Sequence, residues 1–148
     1  MNNKTPTLKL SKGKVTETPW VLVDATGITI GKLSTFVSSL LIGKDNPKFS
    51  NNIFCGKSVV VINSDKLKIS EKKLSSKLYF FYSGFPGGLR KENLASMLTK
   101  DSTNVIMKSV KGMLPKNKMG SEMLRHLYVF KDEKHDKTPQ SPVLLNIN

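Results

Sequence analysis

The chain has 148 residues, which most simply make one domain able to bury a core without disulfides or metals. Hydrophobic residues are only 38% of it, so that core should be modest, and no apolar run approaches the about 18 residues a membrane span needs. Lys and Arg total 24 against 11 Asp and Glu, a net charge of +13 that points to a polyanionic partner; 22 of the 24 are Lys, which favours neutralising phosphates over bidentate reading of bases. An anionic membrane surface is the weaker alternative, because no helix pairs a basic face with Trp or Phe. Cys55 stands alone, so no intramolecular disulfide forms, and with only His126 and His135 beside it a zinc site lacks its usual ligands. No cofactor is implied. The N-terminus has no apolar secretory core and no Arg precedes Arg90, so a cytoplasmic location is expected, with an organelle-encoded origin left open.

In chain order, residues 1–19 form a basic N-terminal arm with Lys4, Lys9, Lys12 and Lys14 and almost no apolar periodicity, expected to order on RNA or to stay without fixed structure. Trp20 to Val23 reads as a buried strand. Leu33, Phe36, Val37, Leu40 and Leu41 repeat as an amphipathic helix that Gly43 is placed to end. Val59 to Ile62, four consecutive apolar β-formers, reads as a central strand covered on both faces, and strand, helix and strand together predict a parallel βαβ unit. Leu67 and Ile69 alternate with Lys66 and Lys68 as a short edge element. Leu78 to Tyr82 is strand-like, with most of its rings expected in the core, and Ser83 to Gly88 cannot be regular structure. Leu94, Met97 and Leu98 mark a short helix, and Leu127 to Phe130 a late strand. Residues 135–148, with Pro139 and Pro142, should lie extended over the surface, leaving 20–134 as the single domain.

Within that domain Val105, Ile106, Ser109, Val110 and Met113 share one helical face, with Lys108 and Lys111 on the opposite side. Pro115 disfavours helical geometry at Leu114 and stops the helix; Met119, Met123, Leu124 and Leu127 then resume helical spacing. Two helices therefore bracket an exposed turn carrying Lys116, Asn117 and Lys118, whose ammonium groups suit a phosphate backbone.

Charge is uneven along the chain. Residues 20 to 65 are net +1, whereas 66 to 100 hold eight basic and two acidic side chains. The cluster from Lys66 to Lys77, with Lys68, Lys72 and Lys73 between, is either a solvated edge that discourages strand pairing or, with the aromatics that follow it, an RNA contact; the second reading is preferred. Gly84, Gly87 and Gly88 let backbone amides approach a phosphate, and Arg90 is a candidate clamp. Gly56-Lys57-Ser58 is not a phosphate-binding P-loop, since it leads into a strand and Asn51 occupies the place of the required earlier Gly. Asp24 and Asp65 read as turn and capping residues rather than catalytic acids. Two rivals stay open: a DNA-binding module, because the helices around Pro115 resemble helix-turn-helix, and a small α/β enzyme acting on a phosphorylated ligand.

Val110-Lys-Gly-Met-Leu-Pro-Lys-Asn-Lys-Met-Gly120 resembles the hallmark of large-subunit ribosomal protein thirteen, of the compact bacterial or organellar type. Trp20-Val-Leu-Val-Asp-Ala25 with Ile30-Gly-Lys-Leu-Ser34, Val60-Val-Ile-Asn63 and Tyr82-Ser-Gly-Phe-Pro-Gly-Gly-Leu-Arg90 resemble further blocks of that family in the same order, over about Trp20 to Pro142. The resemblance implies a three-layer α/β/α fold around a small, mostly parallel four-stranded sheet with basic loops and extended termini. It also implies a non-catalytic structural role in the large ribosomal subunit, binding its large ribosomal RNA early in assembly beside neighbouring subunit proteins, with no membrane and no small-molecule substrate. Lys111, Gly112, Met113, Lys116, Asn117, Lys118, Lys72, Lys73 and the Ser83 to Arg90 loop would lie in or beside RNA. The chain departs from the family pattern at Lys57, Tyr82, Ser121 and the run His135 to Pro142.

Overall fold

The computed structural model describes residues 18–47, 49–50 and 53–147; the basic arm, up to residue 17, lies outside the described residues. β1 (Trp20–Asp24) and β2 (Ser58–Ile62) run parallel in register from Trp20 opposite Ser58 to Asp24 opposite Ile62. α1 (Ile30–Ile42) connects them, and Gly43 ends it in the left-handed region at φ 80°, its N–H donating to the Leu40 and Ser39 carbonyls. All five residues of β2 are buried, as its unbroken apolar run predicts for a strand covered on both faces. β5 (Leu127–Val129) pairs parallel with the other edge of β2, and β6 (Val143–Leu144) parallel with β1. The sheet order is β5-β2-β1-β6, and helices flank it in the expected three-layer α/β arrangement.

Strand alternation sorts the side chains. Val21, Val23, Val59, Val61 and Leu127 face a core completed by Leu33, Val37 and Leu41 of α1, Ile106 and Val110 of α4 (Ser102–Met113) and Met123 of α5 (Lys118–Arg125). Leu33 and Leu41 are fully buried, so truncating either to Ala would cost about 2–5 kcal/mol. Trp20 and Tyr128 lie on the opposite face, stacked at 5.3 Å, with the Lys137 ammonium 5.0 Å from the tyrosine ring.

A second, smaller core holds Leu94 and Met97 of α3 (Leu94–Lys100), Val105 of α4, Leu74 of α2 (Glu71–Ser76) and the Tyr79 and Phe81 rings of β3 (Leu78–Tyr82). β4 (Leu89–Asn93) pairs antiparallel with β3 to close a separate two-stranded ribbon. α4 thus packs on both sides, with Ile106 and Val110 in the main core and Val105 in the second.

Several expectations change. The edge element at Leu67 to Ile69 is a single parallel bridge between Thr29 and Lys68, followed by α2 rather than a charged strand edge. β4 has one apolar residue in Leu-Arg-Lys-Glu-Asn, so it forms because β3 and the turn present it with a partner, not because of its own pattern. Two of the four rings from Tyr79 to Tyr82 leave the core: Phe80 and Tyr82 point outward, since only one face of a ribbon can pack on α3 and α4. The C-terminal run is extended only in part. After a 3-10 turn at Thr138–Gln140 it enters the sheet as β6, Leu145 N–H donates to the Leu22 carbonyl at 2.8 Å, and Leu145 and Ile147 pack on the main core. Two residues are too few for alternation to announce a strand.

Candidate nucleic-acid interface

Asp101 starts α4. Its Oδ1 accepts from the Thr103 N–H (3.2 Å) and hydroxyl (2.7 Å), and its Oδ2 from Asn104 Nδ2 (2.6 Å). The Thr103 hydroxyl bond is the main reason the Asp101 carboxyl sits below its usual range; partial burial opposes it, and the Thr103 N–H, Lys131 and Asn104 add to it. At the other end the Leu114 N–H makes the last helical bond, to Val110 at 3.1 Å, before Leu114 turns extended ahead of Pro115. Asn117 then caps α5, its Oδ1 accepting from the Gly120 N–H at 2.8 Å. The loop is tight: a Cβ on Gly120 would lie 1.8 Å from the Pro115 carbonyl oxygen.

This turn holds Lys116, Asn117 and Lys118 exposed, with Lys111 and Gly112 exposed in the last turn of α4. Among the described residues no carboxylate oxygen lies within 4.0 Å of the Lys111, Lys116 or Lys118 ammonium; the nearby Glu122 is engaged by Arg125 at 3.1 Å. Asn117 spends its side-chain oxygen on the cap, so its first role is to shape the turn. Met113, expected on the packed face, is 44% exposed, with the Thr35 hydroxyl 3.7 Å from its sulfur at the rim of the α1 contact.

The remaining candidates sit on the small second layer. Lys68 is exposed at its bridge to Thr29; Lys72 and Lys73 are exposed on α2 and Lys77 at its end. Ser83, Gly84 and Gly87 are exposed in the β3–β4 turn, which the Gly88 N–H to Phe85 carbonyl bond (2.9 Å) closes. Gly84 (φ 89°) and Gly87 (φ 74°) adopt left-handed geometry facing open space, so a phosphate would meet bare backbone there. Arg90 is exposed on β4. Lys108 differs: half-buried, its ammonium lies 3.2 Å from the centre of the Phe81 ring and 5.7 Å from that of Tyr79. The side of α4 read as free and cationic is packed against the ribbon, and Lys108 clamps the two together; Lys111, one turn on, returns to solvent.

Residues 66 to 118 carry twelve basic and three acidic side chains, so most of the net charge lies on these attachments and little on the sheet. Of the three acids, Glu92 faces Lys100 at 2.7 Å. That hydrogen bond lowers its pKa; desolvation opposes the shift, and the charges of Lys100, Lys108 and Arg90 reinforce it. Asp24 is a turn residue, as its sequence setting predicts. Partial burial works to raise its pKa, but bonds from the Thr26 hydroxyl (2.7 Å), the Thr26 N–H (2.9 Å) and Asn63 (3.0 Å), with Lys66 nearby, hold it below the ordinary value.

The sequence pattern of the family described as Ribosomal protein L13 matches residues 18–136. The chain belongs to the ribosomal protein L13 family. It is 43% identical over 128 residues to the large ribosomal subunit protein uL13 of Syntrophotalea carbinolica, covering 86% of this chain and 90% of that one. It is 42% identical over 131 residues to the uL13 of Lachnoclostridium phytofermentans, covering 88% and 91%. With the uL13 of Lactobacillus delbrueckii subsp. bulgaricus it shares 38% over 142 residues, 96% and 97% of the two chains. Membership in this L13 family makes the chain a ribosomal protein and not an enzyme, which removes both rivals. Lys91, on the outer face of β4, was not picked out by sequence reasoning, because β4 carries no alternation of its own.

Proposed function

We propose that the chain is a structural constituent of the large ribosomal subunit that binds the large ribosomal RNA and supports early subunit assembly, in the cytoplasmic ribosome and beside other subunit proteins. The observation that carries this reading is the set of exposed ammonium groups at Lys111, Lys116 and Lys118, without carboxylate partners among the described residues, on a chain 43% identical to a large ribosomal subunit protein. Free lysines neutralise phosphates and release counterions, which favours binding without requiring a base sequence. Lys72, Lys73, Lys77, Arg90 and the open Gly84 and Gly87 backbone extend the contact, while Lys108 supports it from within. None of the described helices is long and apolar enough to cross a bilayer.

The test is a salt titration of binding to large-subunit ribosomal RNA. If about six phosphates are neutralised, apparent affinity should fall roughly a thousandfold between about 50 and 200 mM salt. A flat dependence contradicts the reading.

A further inference from the structure

Among the described residues, the β3–β4 ribbon leaves one face with no protein against it. Along β3 the residues Leu78, Phe80 and Tyr82 alternate outward, and the register sets Asn93, Lys91 and Leu89 opposite them on the same face. Phe80 is 60% exposed, Tyr82 67% and Phe85, in the connecting turn, 73%. The chain has eleven aromatic residues, so exposing three of them within six positions is a concentrated feature rather than scatter. The inner rings Tyr79 and Phe81 are pinned by the second core and by Lys108, which fixes the outer face in place.

We propose that this outer face is a stacking platform for unpaired RNA nucleotides, a different ligand from the backbone phosphates held by the lysines of the α4–α5 turn. The inference rests on the RNA-binding reading and names what one part of the interface takes. Charge decides for RNA over an apolar protein partner. Lys91 Nζ lies 5.9 Å from the Phe80 ring centre on this outer face, while the ribbon's one acid, Glu92, points with Arg90 to the inner side and is held by Lys100. An aromatic surface that carries the Lys91 ammonium and, among the described residues of the ribbon, no outward carboxylate suits a base on the ring with its phosphate on the cation. Phe80 and Tyr82 are spaced about 6.8 Å along the strand, twice the roughly 3.4 Å stacking repeat of nucleic acid. A duplex hides its base faces, so the nucleotides must be unpaired.

The experiment uses the full chain and two fluorescein-labelled probes of equal length, an unstructured oligoadenylate and an RNA duplex, with the variants F80L/Y82L and K116E/K118E. The leucines keep the apolar cover and remove the π faces, and both positions are exposed, so the melting temperature should not move. F80L/Y82L should bind oligoadenylate about tenfold or more weakly and duplex within about twofold of wild type. Unchanged oligoadenylate binding overturns the platform, and if that variant also fails to enter large subunits the face docks a protein instead. Equal losses on both probes also overturn it. If K116E/K118E leaves duplex binding intact while the F80L/Y82L pattern holds, the lysine interface fails and the platform stands. A wild-type chain that binds neither probe refutes both readings.

Discussion

Gly120→Ala sets two forces against each other. Gly120 is the third residue of α5, where helix propensity alone favours Ala by about 1 kcal/mol. Against this, the new Cβ would sit 1.8 Å from the Pro115 carbonyl oxygen, where ordinary contact begins at 3.4 Å, so the turn must open by about 1.6 Å. The obstacle is backbone, which no rotamer change relieves; overpacking of this kind costs about 1–3 kcal/mol. Opening the turn also lengthens the 2.8 Å bond from the Gly120 N–H to Asn117, and losing such a cap costs about 1 kcal/mol. The net expectation is destabilisation by about 1–3 kcal/mol, or a melting temperature lower by about 3–8 °C. Thermal unfolding followed by circular dichroism measures it, with Asn117→Ala alongside to isolate the cap. A G120A chain that melts at or above the wild-type temperature would show that propensity governs and that the turn is not tightly packed.

Asp101→Ala should cost about 1 kcal/mol at neutral pH by removing the cap of α4. Because the Asp101 carboxyl titrates lower in the folded chain, its stabilisation is present above the unfolded value near 3.8 and fades as pH falls through the folded one; urea melts should show the gap between wild type and D101A closing below that pH, and a constant gap contradicts the assignment. Lys108→Met should keep the chain's stability within about 1 kcal/mol, whereas Lys108→Glu, which sets a carboxylate against the Phe81 ring, should cost about 1–2 kcal/mol; equal melting of the two would mean that the ammonium does not hold the ribbon.

The parts of the fold legible in the sequence carry their signal locally. Five apolar residues at helical spacing fix α1, an unbroken apolar run fixes β2, and Pro115 stops α4 where its geometry requires. What escaped depends on partners distant in the chain. β4 and β6 are strands by virtue of the edges that receive them, and neither Leu89–Asn93 nor Val143–Leu144 shows a period of its own. The division of the Tyr79 to Tyr82 rings required knowing that α3 and α4 cover one side of the ribbon. Lys108 looked like a solvent-facing cation because the helix face opposite Ile106 and Val110 gives no sign that a second core lies against it. Lys111, Lys116 and Lys118 were readable because Pro115 and the polar Lys-Asn-Lys run already dictate an exposed turn; that Asn117 caps α5 follows the preference of Asn for that position, but its oxygen bond to Gly120 is seen only in the structure.

Cosedimentation of the K116E/K118E chain with large ribosomal subunits through a sucrose gradient tests the central claim most directly. Both side chains are exposed, so the variant should melt like wild type yet appear in the subunit fractions at a several-fold lower level. Wild-type incorporation of that charge-reversed chain would contradict the account.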